Sequence, residues 1–296
     1  MSKRISLFII TNFLIIFSLS LILKVFHLDN KLNSFGLKNT HLLIFCLVWG
    51  FSGSFISLML SKIIAKKSMK VEIIDPKTFN EDLSSLVQAV HFLAKKAGIK
   101  VMPEVGIYDS DEINAFATGP TKNRSLVALS SGLVRQMSSE QIYGVLGHEI
   151  SHIANGDMVT MTLIYGVMNS FVLFFPRIIS LSLTSDSRTG IKVFIRYFLT
   201  MALELVFGIL ASIVICYFSR RREYRADKGA AELCGSKNMV LALEALLAQS
   251  NNSNNFVEKS GLATLKIYGV QSNLFGLFST HPSVRNRIKQ LKKIKD

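Results

Sequence analysis

With 296 residues the chain has room for one large domain or two modest ones, and 49% hydrophobic against 18% charged residues is too apolar for an ordinary soluble protein. Its 34 Lys and Arg against 20 Asp and Glu leave a net charge of +14; no nucleic-acid motif accompanies that excess, so it implies anionic membrane lipid as a partner and no nucleic acid. Three cysteines (Cys46, Cys216, Cys234) without C-x-x-C spacing exclude a disulfide framework and place the chemistry in a reducing compartment.

In chain order, Ile5 to Phe26 and His41 to Ile63 are each apolar over the length a bilayer requires, about 20 residues. No small-residue cleavage site follows the first, so it reads as a span and not a signal peptide. Thr78-Phe-Asn-Glu81 has capping-box spacing and opens a helix whose apolar positions run from Leu83 to Ala94, ending at Gly98. His91 on that helix has no ligand spacing around it. Val101 to Tyr108, Ile113 to Thr118 and Ser125 to Leu129 read as strands, with a turn at TGPTKNR. Ser138-Ser-Glu-Gln141 is a second capping box, and its helix runs to Asn155-Gly156, a natural C-cap. Two further spans are expected, about Met158 to Pro176 and about Val193 to Phe218. Helices at Ser219 to Cys234, Met239 to Gln249 and Pro282 to Lys293 complete the chain, with a polar loop at 251–255.

This divides the chain into a transmembrane pair (1–63), a first soluble segment (64–157), a second transmembrane hairpin (158–218) and a second soluble segment (219–296). Lys3, Arg4, Lys62, Lys66, Lys67, Lys70 and Arg220 to Arg222 flank one side of the spans more densely than Lys31, Lys38, Arg177, Arg188 and Lys192 flank the other. The positive-inside rule then puts both termini and the two soluble segments in the cytoplasm. Arg196 lies near a span end and can snorkel. Glu204 is deeper. A hairpin turning at Asp186–Ser187 puts Asn169 level with it and predicts a Glu204–Asn169 contact.

The second capped helix carries GHEISHIANGD, Gly147 to Asp157. Residues four apart share a helix face, so His148 and His152 can offer both imidazoles to one zinc, with Glu149 beside them as general base. The ordinary alternative is a helix with two unrelated histidines; an apolar flank at Ile142, Val145 and Leu146 buries this one, and buried histidines need partners. A catalytic zinc takes three protein ligands and keeps one open position. Asn155 and Met158 stand where the metzincin extension needs Gly and His, so the third ligand lies elsewhere. Glu223, Asp227, Glu232, Glu244, Glu258 and His281 are the candidates on the same membrane side. Glu223 and Asp227 are one turn apart, so one can bind metal while the other orients a histidine; an exposed i,i+4 pairing with the neighbouring arginines is the competing reading.

HEISH together with REYRAD (Arg222 to Asp227) resembles the H-E-x-x-H and E-x-x-x-D pair of the HtpX-type membrane zinc peptidases, relatives of the CAAX prenyl proteases. NAFATGP (Asn114 to Pro120) and STHPSVRNRI (Ser279 to Ile288) resemble two further blocks of that family, and the resemblance spans essentially the whole chain. It implies a mainly α membrane protein with four transmembrane helices and a cytoplasmic α+β, gluzincin-like zincin domain with a small sheet. It implies one Zn²⁺ per chain on His148, His152 and Glu223, Asp227 behind them, and Glu149 as base. It also implies that Asn114, Ala115, Phe116, Ala117, Thr118 and Gly119 line a substrate strand and that His281 and Arg287 assist the transition state. Expected substrates are peptides and membrane proteins, damaged or misfolded, at the cytoplasmic face of the cell inner membrane. A prenyl-protein-type peptidase and a non-catalytic scaffold or transporter centred on Glu204 and Asn169 are the alternatives.

Overall fold

The computed structural model describes residues 39–184, 190–252 and 275–293. The expected first span, the hairpin tip and Glu258 lie outside the described residues, as do 253–255 of the polar loop. The fold is mainly helical with one small mixed sheet. Its elements are α1 (Asn39–Ser68), β1 (Glu72–Ile73), α2 (Glu81–Lys96), β2 (Glu104–Tyr108), β3 (Ala115–Thr118), β4 (Leu126–Ser130), α3 (Ser131–Gln136), α4 (Ser139–Asn155), α5 (Asp157–Leu183), α6 (Gly190–Cys234), α7 (Ser236–Asn252) and α8 (Val284–Leu291). Among the described residues α1, α5 and α6 are long and apolar enough to cross a membrane. They form two compact units. One comprises Leu163–Ile215 and the described residues up to Phe55; the other comprises Ile56–Thr162 and the described residues from Cys216 onward.

In the first unit, Gly50 of α1 lies against Ser170 of α5, where any Cβ would overlap the serine backbone. Such close approach is how apolar helices gain contact in lipid, where no hydrophobic force pulls them together. Phe175 and Phe207 stack with centroids 5.8 Å apart. Glu204, 1% exposed, meets Arg177 at 2.7 Å. The expected Glu204–Asn169 contact is therefore wrong: Asn169 instead faces the Ser54 hydroxyl at 3.5 Å. A guanidinium neutralises a buried carboxylate and an amide does not. A span ending at Pro176 places Arg177 in the loop beyond it, whereas α5 runs through that proline. The Arg177 guanidinium also donates to the Leu173 carbonyl (2.7 Å), one turn back along α5.

The main core of the second unit lies between sheet and helices. Leu129 and Val127 of β4 meet Leu93 and Val90 of α2 and Leu146, Ile150 and Ile153 of α4, all nearly inaccessible to solvent. The sheet order is β1-β2-β4-β3. β2 and β4 pair in parallel (Val105 with Val127), and β3 pairs antiparallel with β4 (Phe116 with Ala128), which leaves β3 at the edge. The Ser138 capping box is complete, with both reciprocal hydrogen bonds, and Gly156 caps α4 at φ 69°. α2 differs from expectation: Asn80, not Thr78, is its N-cap and accepts from the Leu83 amide. α6 joins the expected fourth span and the following helix into one 45-residue element, because nothing between Phe218 and Arg222 breaks a helix. His91, on α2, is half-buried with a ring nitrogen 3.2 Å from the Pro103 carbonyl.

Candidate metal centre and its carboxylate shell

α4 delivers His148 and His152 one turn apart on its buried face, and α6 delivers Glu223 to the same point. The two Nε2 atoms are 3.1 Å apart. Glu223 Oε2 is 3.5 Å from His148 Nε2, and Oε1 is 3.5 Å from His152 Nε2. Two ligands about 2.0–2.1 Å from a tetrahedral zinc lie about 3.3–3.4 Å from each other, so this spacing fits one ion without rearrangement. Of the candidates for a third ligand, only Glu223 joins the two histidines in a cluster, among the described residues.

Both imidazoles are held by carboxylates at Nδ1. Asp227 Oδ1 is 3.0 Å from Nδ1 of His148, and Asp157 Oδ2 is 2.7 Å from Nδ1 of His152. Each Nδ1–H donates outward, which leaves each Nε2 lone pair turned to the shared point. Two lone pairs and a carboxylate converging on one spot call for a positive charge there. In the metal-free protein a proton can supply it: burial works against a charged His148, but hydrogen bonds to Asp227 and Glu223 outweigh burial and push its pKa up to about 9. Glu223 is held well below the usual carboxylate range, against the cost of its burial, by hydrogen bonds from His148 and His281.

Arg287, 3% exposed, forks onto Asp227 with Nε to Oδ2 at 2.8 Å and Nη2 to Oδ1 at 2.5 Å. The same Nη2 lies 3.4 Å from His148 Nδ1, but that nitrogen cannot accept while it donates to the closer carboxylate. The guanidinium is therefore anchored on Asp227, with its remaining nitrogen, Nη1, 3.7 Å from Glu223 Oε2. His281 is half-buried, with Nδ1 3.0 Å from Glu223 Oε2. Glu149 is half-buried and lines the same cavity, of about 250 Å³, as His148, His152, Glu223, His281 and Arg287. Asn114, Ala115, Phe116 and Ala117 reach that cavity from the β3 edge; Thr118 and Gly119 lie beyond its lining, where the chain turns back toward β4.

The model of Peptidase family M48 matches residues 80–295, which include every one of these side chains. The chain belongs to peptidase family M48. Its M48 relatives match end to end. A protein named Protease HtpX homolog from Methylacidiphilum infernorum is 45% identical over all of both chains. Protease HtpX of Aeromonas hydrophila is 45% identical, covering 98% of this chain and 99% of its own. The Protease HtpX homolog of Bacillus subtilis is 42% identical over the same shares. Among solved structures, S. mikatae Ste24p superposes with a TM-score of 0.62 at 20% identity, over 93% of this chain. The present chain spans less than two thirds of that protein, 64%, so the likeness concerns the fold. With three apolar helices among the described residues and HtpX-type relatives, this M48 member is a membrane-associated peptidase.

Sequence reasoning named His148, His152, Glu223 and Asp227, which the structure brings together, but not Asp157, Arg225 or Lys122. Arg225 Nη2 reaches Asp157 Oδ1 at 2.6 Å, and Lys122 donates to the Ala154 carbonyl at the end of α4. Asp157 had a readable signal. It follows the Gly156 cap, and a left-handed cap turns the next residue back toward the last turn, where His152 sits.

Proposed function

We propose that this chain is a zinc endopeptidase that hydrolyses peptide bonds of membrane proteins at the cytoplasmic face of a cell inner membrane, through a domain tethered by four spans. The observation that carries the reading is the convergence of His148 Nε2, His152 Nε2 and the Glu223 carboxylate within tetrahedral reach, with Glu149 on the same cavity. Zinc held there would supply Lewis acidity, polarising the scissile carbonyl and acidifying water to a pKa near ~7.

The chain's own residues do the rest. Glu149 takes the proton from the attacking water and gives it to the departing amine. Asn114 to Ala117 offer an unpaired strand edge to an extended substrate, which adds as a further strand. Asp227, clamped by Arg287, keeps His148 in its ligating tautomer. His281 lines the cavity, where its imidazole can donate toward a developing oxyanion. The basic residues around Lys62 to Lys70 and Arg220 to Arg222 favour anionic lipid. A site at the bilayer surface selects substrates that are themselves in the membrane, and damaged or misfolded membrane proteins expose suitable loops there. The test is purified full-length protein in detergent with a membrane-protein substrate, with and without zinc, beside Glu149→Gln. We expect about one zinc per chain and zinc-dependent cleavage that the variant lacks. A folded protein that takes up no zinc would overturn the reading.

A further inference from the structure

The second imidazole has a carboxylate of its own, and it is built differently from the first. Asp157 is the opening residue of α5, directly after the Gly156 cap, and is 1% exposed. One oxygen meets His152 Nδ1 at 2.7 Å and the other meets Arg225 Nη2 at 2.6 Å. Arg225 lies on α6 midway between Glu223 and Asp227, and its side chain is 54% exposed. We propose that Asp157 is the positioning residue for His152, and that Arg225 fixes which Asp157 oxygen faces the ring. The inference rests on the zinc reading above. It makes the five residues Glu223 to Asp227 a three-part device. Glu223 supplies a ligand, Asp227 steadies one histidine, and Arg225 steadies the other through Asp157.

A carboxylate in the first turn of a helix also complements the helix dipole, so a purely structural role for Asp157 is the competing explanation. Hydrogen-bond chemistry separates the two. Arginine donates only, and the imidazole Nδ1–H also donates, so the central group must accept on both sides. An asparagine accepts on one side only. In Asp157→Asn, Arg225 claims the amide oxygen and turns the NH₂ toward His152. Nδ1 must then accept, the proton moves to Nε2, and the ligand atom is blocked. Removing Arg225 from that variant frees the amide to rotate and present its oxygen to Nδ1–H. The second substitution therefore repairs the first, which no dipole or packing role predicts.

The experiment measures zinc affinity of the full-length protein in detergent by chelator competition, with thermal unfolding of the metal-free forms as a folding control. Asp157→Asn should bind zinc about 10- to 100-fold more weakly than wild type. Arg225→Ala alone should lose about 2- to 10-fold, and Asp157→Asn with Arg225→Ala should bind more tightly than Asp157→Asn. Wild-type affinity in Asp157→Asn, or a double variant no tighter than the single, overturns the proposal. If Asp157→Asn does not fold, Arg225→Ala decides, and unchanged zinc affinity there overturns it. Wild-type protein without zinc affinity would instead remove the zinc reading, and this inference with it.

Discussion

Arg287 can act in two ways that its substitution by lysine and by alanine will separate. In the structure its fork is spent on Asp227, through two short hydrogen bonds with both partners buried. Lysine keeps the charge but offers a point donor instead of a fork, so Arg287→Lys should lose one charge-assisted bond, about 1.5–3 kcal/mol. Arg287→Ala leaves Asp227 as a buried unpaired carboxylate and should cost about 3–5 kcal/mol. Because Asp227 also accepts from His148 Nδ1, zinc affinity should fall with stability, by about 10- to 100-fold. The assay is thermal unfolding of the metal-free protein, zinc affinity by chelator competition, and turnover at zinc concentrations that saturate each variant. Stability and affinity should fall in the order wild type, lysine, alanine, with kcat largely restored at saturating zinc. A group that instead donates to the transition state would lower kcat by about 10²–10³ and leave unfolding and zinc affinity alone. That outcome would refute the anchoring role argued from the fork.

Four other outcomes can be checked on the same preparations. Glu149→Gln should bind zinc as wild type does while turnover drops by about 10²–10⁴; cleavage at the normal rate would remove Glu149 as base. Arg177→Ala should destabilise the membrane unit by about 3–5 kcal/mol, and adding Glu204→Leu should recover most of it; simple additivity would show that the pair does not interact. Glu104, held below its ordinary pKa by Lys66 and Lys62 despite some burial, is 40% exposed, so Glu104→Gln should cost at most about 1 kcal/mol. Its folded pKa is the lower one, so that difference should be full above the ordinary glutamate pKa and fade as pH falls through the depressed value, as unfolding scans at several pH values would show. Zinc at about 100 times its Kd should raise stability by about 2.7 kcal/mol, reversibly with chelator; a melting temperature indifferent to zinc would count against a native site.

What could be read in advance was local. The Ser138 capping box and the Gly156 cap depend on residues within a turn of each other, and both appear as expected. Two caps compete near Thr78, and spacing cannot choose between a threonine and the better-placed Asn80. β1 is two residues long, too short for any periodicity. Helix ends within α6 were misplaced because a fall in hydropathy marks where lipid ends, not where a helix does. The Glu204 partner failed for a related reason: reading Pro176 as a span end moved Arg177 into a loop. The ligand spacing of α4 was legible because it lies in one helix, whereas the Arg225–Asp157 contact depends on tertiary packing that joins residues 68 positions apart.

The second unit is discontinuous: Leu163–Ile215 of the first unit intervenes between its two halves. A ribosome therefore delivers His148, Glu149 and His152 long before Glu223, with the α5–α6 membrane stretch in between. At about 5–20 residues per second the interval is roughly 4–14 s. Through that time the emerging polypeptide holds two of the three proposed ligands and no Asp227 or Arg287 to steady them. Chains broken off or arrested before Glu223 lack a complete ligand set. On the zinc reading, the order of the segments therefore postpones completion of the site until the α5–α6 stretch has been made.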